Sequence, residues 1–225
     1  MTVFLQKFNI KHLVLLLILM ASFLSGLLVA GYQFNQFSQL AKQRYGNDAF
    51  QRVSELNELL IQLENAPELE KLNKINIFFN QKIQYGRDIF IYGVEDYWAT
   101  PLETIGRGAG DCEDFTIAKY VFLKILKVPN EKLRLTYVKV DSPLQGSQGH
   151  MVLSYYPTPN SEPLILDNFN SFLVPASKRD NLFPIFSFND QGLWNGVSSQ
   201  SAGSATNRLS KWRDLLARNR QDGLE

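Results

Sequence analysis

Amphipathic helical patterns come first in this sequence and strand patterns come later, and that order leaves few architectures open. Residues 33–64 place Phe37, Leu40, Ala41, Val53, Leu56, Leu59, Leu60 and Leu63 at helical spacing, with Gly46 and Asn47 as an interruption. Pro67 suits a helix start, and Leu69, Leu72, Ile75, Phe78 and Phe79 predict a second helix from Glu68 to about Lys82. Residues 83–110 are aromatic and Gly-containing and read as loop with short helical turns. Gly108-Ala109-Gly110 and Pro129 bracket a third helix, Asp111 to about Leu126. Runs rich in β-branched residues, Leu and Tyr then predict strands at Leu133–Val140, His150–Tyr156 and Pro163–Asp167. Phe183–Phe188 is a weaker strand signal because it contains Pro184. Helices followed by strands and short turns predict an α+β fold with an antiparallel sheet.

The chain begins with a separate signal. Lys7, Lys11 and His12 precede an apolar run from Leu13 to Gly31, broken only by Ser22, Ser25 and Gly26. That length suits a transmembrane anchor or a long signal peptide, and the basic flank keeps the N-terminus in the cytoplasm. The rest of the chain is then expected outside the inner membrane. A cleavage point after Ala30 has Leu28 where a small residue is preferred, so both outcomes stay open. The expected organisation is a signal peptide or anchor at 1–31 and one domain at 32–200. A Ser/Gly/Ala-rich linker and a short amphipathic helix carrying Trp212, Leu215 and Leu216 follow at 201–225.

Composition removes several functions. Lys and Arg number 23 against 22 Asp and Glu, a net charge of +1 that argues against nucleic-acid binding. One cysteine permits neither an internal disulfide nor a cysteine-based zinc site, and two histidines exclude a His-rich metal centre. Any thiol chemistry must use Cys112, and any histidine outside the apolar N-terminus is His150.

Cys112 heads the apolar stripe Phe115, Ala118, Phe122, Ile125 of the third helix, so the first turn aims its thiol at whatever that helix packs on. Taken alone, a lone cysteine there reads as a small core residue. His150 alters the balance. If Tyr156 pairs with Ser161 across the turn Pro157–Asn160, antiparallel registry sets His150 opposite Asp167 on one face. A slip of two residues keeps them on one face, and a slip of one separates them. A strand-end histidine beside a turn aspartate is the plain alternative. A thiolate attacks a carbonyl, an imidazole moves the proton, and a carboxylate orients the imidazole; backbone N–H groups at the helix start suit an oxyanion.

Asp111, Glu113 and Asp114 surround the cysteine. They favour the helix dipole, with Asp111 as N-cap, yet they should raise the thiol pKa. Capping needs one acid; the surplus charge asks for a counter-ion held by oxygen ligands, which suits calcium or magnesium. Further ligands are expected from backbone carbonyls or a distant loop, such as the one after Val140. Trp98, in the loop before the Cys helix, lines a substrate groove or faces a partner, or else packs as a satellite of the core. Lys119 and Tyr120 read as helix surface and edge positions.

Tyr97-Trp98-Ala99-Thr100-Pro101, Gly110-Asp111-Cys112-Glu113-Asp114, Ala118-Lys119-Tyr120, His150-Met151-Val152-Leu153 and Leu166-Asp167-Asn168 together resemble the bacterial transglutaminase-like cysteine proteinases of the LapG type. The resemblance is strongest from about 76 to 168. It implies a papain/transglutaminase-like fold with a Cys112, His150, Asp167 triad and a periplasmic, calcium-dependent cysteine protease. Such a protease clips the N-terminal region of a large surface adhesin and releases cells from a biofilm. It also implies an inhibiting partner, an inner-membrane cyclic-di-GMP receptor of the LapD type. The resemblance points to calcium at Asp111, Glu113 and Asp114. Two other functions fit the same residues: an acyl transferase making amide cross-links, and a non-catalytic calcium-stabilised binding module.

Overall fold

One helix, buried on every side, organises the computed structural model, which describes residues 34–142, 146–196 and 198–224. This helix, α6 (Cys112–Ile125), buries each residue from Asp114 to Leu123, mostly apolar but with Asp114, Thr116 and Lys119 among them. A mostly apolar helix is enclosed by the rest of the fold. A six-stranded antiparallel sheet covers one side of it, with β4 (Gly146–Tyr155) and β3 (Leu133–Ser142) central. The sheet continues through β5 (Leu164–Asp167) and β6 (Asn170–Pro175) on one flank, and through β7 (Leu182–Phe188) and β8 (Leu193–Asn195) on the other. On the other side α6 meets α3 (Glu68–Lys82) and α5 (Pro101–Arg107), and α2 (Asn47–Leu63) packs on both of these. The architecture is the expected α+β fold.

Local chemistry sets the boundaries. α1 (residues 34–45) stops where Gly46 takes a φ of 85°, a left-handed conformation that glycine adopts without a Cβ clash, and α2 restarts at Asn47. Pro67 precedes α3 as its sequence suggests. Thr100 and Glu103 form a capping box on α5 with Pro101 in the first turn. The expected loop 83–110 also contains α4 (Asp88–Ile91) and a short parallel pair, β1 (Gln84–Tyr85) with β2 (Ala109–Gly110). That pair lays the chain leaving α3 beside the residues that lead into Cys112.

Lys119 and Tyr120 are not at surface or edge positions: each is 1% exposed. The enclosure of α6 leaves no outer face for them. The Lys119 ammonium lies 5.6 Å over the Phe115 ring, and Tyr120 donates to Asn130 Oδ1 at 2.6 Å. Burial lowers the Lys119 pKa to about 7, and the Asp167 charge opposes that shift.

The β4–β5 hairpin closes two residues away from the expected register. Tyr155 pairs with Leu164, Ser154 with Ile165 and Leu153 with Leu166. Tyr156 N–H instead bonds Lys132 O, and Ser161 N–H closes a turn onto Thr158 O. Because the shift is even, His150 and Asp167 stay on one face, related diagonally. The strands β6 and β8 are not predicted by the sequence; both lie at the sheet's edges, β8 has only three residues, and β6 shows no regular alternation of buried and exposed positions.

The tail folds back onto the domain. In the stretch read as a flexible linker, Leu193 N–H bonds Gly203 O and Ala202 N–H bonds Leu193 O. α7 (Ala205–Arg208) and α8 (Ser210–Gln221) follow. Trp212 of α8 is fully buried, edge-on to Tyr120 at 5.9 Å and to Phe188 at 5.2 Å. Trp212→Ala is expected to cost about 3–5 kcal/mol, read as a lowered midpoint in urea unfolding. Among the described residues no helix is long and apolar enough to cross a membrane; the run at 13–31 lies outside them.

Candidate active site

Cys112 is the first residue of α6, and Asp111 stands at its N-cap position. Thr116 Oγ1 reaches both Cys112 O at 2.8 Å and Met151 O at 3.0 Å, which stitches the first turn of α6 to β4. Against the larger effects of burial and of the Glu113 and Asp111 charges, the Met151 backbone N–H acts to lower the thiol pKa. Cys112 therefore sits against the residue that follows His150. Its thiol donates to Glu113 Oε2 at 2.9 Å. Burial, then the charges of Glu113 and Asp111, push the thiol pKa well above its ordinary value.

His150 and Asp167 form a buried pair, Nε2 to Oδ1 at 2.9 Å, with exposures of 3% and 1%. Phe169 N–H donates to the same oxygen at 3.1 Å, while its ring stacks on the imidazole at 5.0 Å. Burial pushes the Asp167 carboxyl up. The hydrogen bond and charge of His150, with Phe169 N–H and Arg179, outweigh burial and hold it well below the usual carboxylate range. With Nε2–H donated to Asp167, the neutral ring keeps Nδ1 as its basic nitrogen.

A cleft of about 620 Å³ opens over the thiol, lined by Tyr85, Trp98, Cys112, Glu113, Tyr137 and Met151 among others. Trp98 lines this cleft and stacks on Phe188 at 5.6 Å with the rings 12° apart. The loop that carries it is fastened from behind by α8. Arg218 donates to Tyr97 Oη at 2.9 Å and bonds Glu103 and Trp98 O, and Lys211 reaches Asp96 O at 2.9 Å.

The acids beside Cys112 gain a fourth member. Asp88, from α4, joins Asp111 and Asp114, with one carboxylate oxygen of each lying within 4.8 Å of the others. Asp88 accepts Tyr97 N–H, and Asp114 accepts Ala99 N–H at 2.8 Å and Asp111 N–H at 3.4 Å. Among the described residues, Asp88 Oδ1 and Asp111 Oδ1 are buried without a hydrogen-bond partner. Burial, then Glu113, Asp114 and Asp88, push Asp111 up to about 10; Asp88 and Asp114 are also raised, by burial first. Buried, unpaired carboxylate oxygens converging at one point fit a hard cation. The packing is tight enough that a Cβ at Gly110 would lie 2.7 Å from Asp114 Cβ.

Residues 32–201 match the family model described as bacterial transglutaminase-like cysteine proteinase. The chain belongs to that family. The solved structure of Legionella pneumophila LapG is 41% identical, with a TM-score of 0.70 over 83% of this chain and 97% of that one. An EGTA-treated form of that protein is 42% identical with a TM-score of 0.73 over 83% and 97%. A calcium-bound form is 42% identical with a TM-score of 0.70 over 82% and 98%. Comparison with curated proteins finds no match.

In this transglutaminase-like cysteine proteinase Asp88, which precedes Cys112, is the distant acid that joins Asp111 and Asp114 among the described residues; residues 143–145 of the loop after Val140 lie outside them. Asp88 carries no local signature: it lies 24 positions before Cys112, and the β1–β2 pair helps to bring its segment to the helix start. Arg179 is a second residue the sequence does not single out.

Proposed function

We propose that the chain is a periplasmic, calcium-dependent cysteine endopeptidase that clips the N-terminal region of a large surface adhesin. The buried His150–Asp167 pair, with His150 on the strand to which the first turn of the Cys112 helix is stitched, carries the reading, supported by membership of the proteinase family. Cys112 supplies the nucleophile. His150 takes the thiol proton and returns it to the leaving amine, while Asp167 holds the imidazole in one tautomer. The N–H groups of the first turn of α6 face the developing oxyanion. The open cleft suits an extended peptide segment.

Asp88, Asp111, Glu113 and Asp114 would hold the calcium, whose charge offsets four carboxylates that otherwise oppose a thiolate. A LapG relative solved both calcium-bound and EGTA-treated supports that choice of ion. Release of the adhesin would disperse a biofilm, and a cyclic-di-GMP receptor of the LapD type at the inner membrane would hold the protease in check.

The test is incubation of residues 32–225 with the N-terminal region of a candidate adhesin, with calcium or with EGTA. One calcium-dependent cut at small residues such as Ala-Ala is expected. An amide-linked adduct to an added amine with no cut product would instead show an acyl transferase.

A further inference from the structure

Asp167 has two carboxylate oxygens with different partners. Oδ1 receives His150 Nε2–H and Phe169 N–H; Oδ2 faces Arg179 Nη1 at 2.8 Å, with the Asp167 side chain fully buried and that of Arg179 13% exposed. Arg179 follows the 3₁₀ turn Ala176–Lys178 between β6 and β7, so it comes from a segment separate from both His150 and Cys112. Its own Nε–H goes to Asn181 Oδ1 at 3.3 Å. Lys119 of α6 also feels the charge of this carboxylate, which opposes the lowering of its pKa by burial.

We infer that Arg179 is a positioning residue, holding Asp167 Oδ2 so that Oδ1 stays on His150. The inference rests on the catalytic reading of Cys112, His150 and Asp167. The terminal torsion of a carboxylate is broad and two-fold, so an aspartate held on one oxygen alone is free to swing away from the imidazole. The guanidinium holds the second oxygen by charge, as an ion pair at 2.8 Å rather than a well-directed hydrogen bond, and with it the direction in which His150 points its basic nitrogen. The contact is through a single nitrogen, so charge at that place matters more than the guanidinium fork. Arg179 touches neither the thiol nor the cleft, and acts only through Asp167.

The probe is the rate of Cys112 alkylation by iodoacetamide at neutral pH in the calcium-loaded protein, with the thermal midpoint measured beside it. Arg179→Gln keeps a polar group without charge, and Arg179→Lys keeps the charge. Arg179→Gln is expected to slow alkylation by about 10- to 100-fold, the scale of a catalytic group displaced by about an ångström. Arg179→Lys is expected to recover most of that loss, and Asn181→Ala, which removes only the bond on Nε, to leave the rate unchanged. A purely structural Arg179 would lower the midpoint in all three without this order of rates. Parent-like alkylation in Arg179→Gln, or Arg179→Lys as slow as Arg179→Gln, overturns the inference while His150→Ala and Asp167→Asn are slow. Parent-like alkylation in His150→Ala and Asp167→Asn overturns the catalytic reading itself.

Discussion

Cys112→Ala is expected to abolish peptide cleavage, with kcat down by about 10⁴-fold or more, because the sequence contains no second thiol to replace it. His150→Ala should lose nearly as much. Burial, Glu113 and Asp111 push the Cys112 thiol up, so it does not ionise unaided near neutral pH. It needs a proton acceptor, and the sequence has no histidine beyond His150 except His12 in the N-terminal segment. Asp167→Asn keeps the shape but donates where the aspartate accepts, which favours the wrong tautomer of His150 and should cost about 10²- to 10⁴-fold. These variants should keep their circular dichroism, since the substitutions leave the backbone pairing of β4 with β3 and β5 in place. Steady-state cleavage of the adhesin region measures the loss, and iodoacetamide alkylation separates activation of the thiol from later steps. Full cleavage by Cys112→Ala would end the reading of the protein as a thiol protease.

Much of the arrangement behind that prediction is legible in the sequence, for particular reasons. The stripe Phe115, Ala118, Phe122 places Cys112 at the head of a buried face whatever the helix packs on. The His150–Asp167 relation survives a register error of two residues because the face of a strand residue depends only on parity. Other features depend on tertiary structure. Lys119 looks like a surface residue until α6 is seen to be enclosed on all sides. Asp88 is remote in sequence from the other acids, and the β1–β2 pair and the Tyr97 N–H help to place it beside them. The Ser/Gly/Ala-rich stretch near 200 has the composition of a linker, but Trp212 beyond it is anchored in the core by rings from α6 and β7. The family model ends at 201, yet α8 is what fastens the Trp98 loop over the thiol.

Removal of calcium is expected to be the second large effect, and it should carry a pH signature. EGTA is expected to abolish cleavage, and calcium to restore it. At a calcium concentration 100 times its dissociation constant, binding adds about 2.7 kcal/mol of stability, or roughly 5–10 °C in the thermal midpoint of a domain this size. The sign of the pH dependence follows from the acids. Without a cation, Asp111 is raised from its ordinary 3.8 to about 10, and Asp88 and Asp114 are raised too. The folded state then binds protons that the unfolded chain has released. That contribution is fully present below about pH 4 and is lost as pH rises through the folded value. In EGTA the midpoint should fall between pH 5 and pH 9, and the gap between calcium and EGTA should widen over the same range. Asp88→Asn and Asp111→Asn should move the two states in opposite directions. Each removes one charge from the crowded cluster, so the EGTA form should gain stability while calcium affinity falls. Differential scanning calorimetry across a calcium series reads both. Asn variants that lose stability equally with and without calcium, or keep full activity in excess chelator, would show that the acids serve only the helix start.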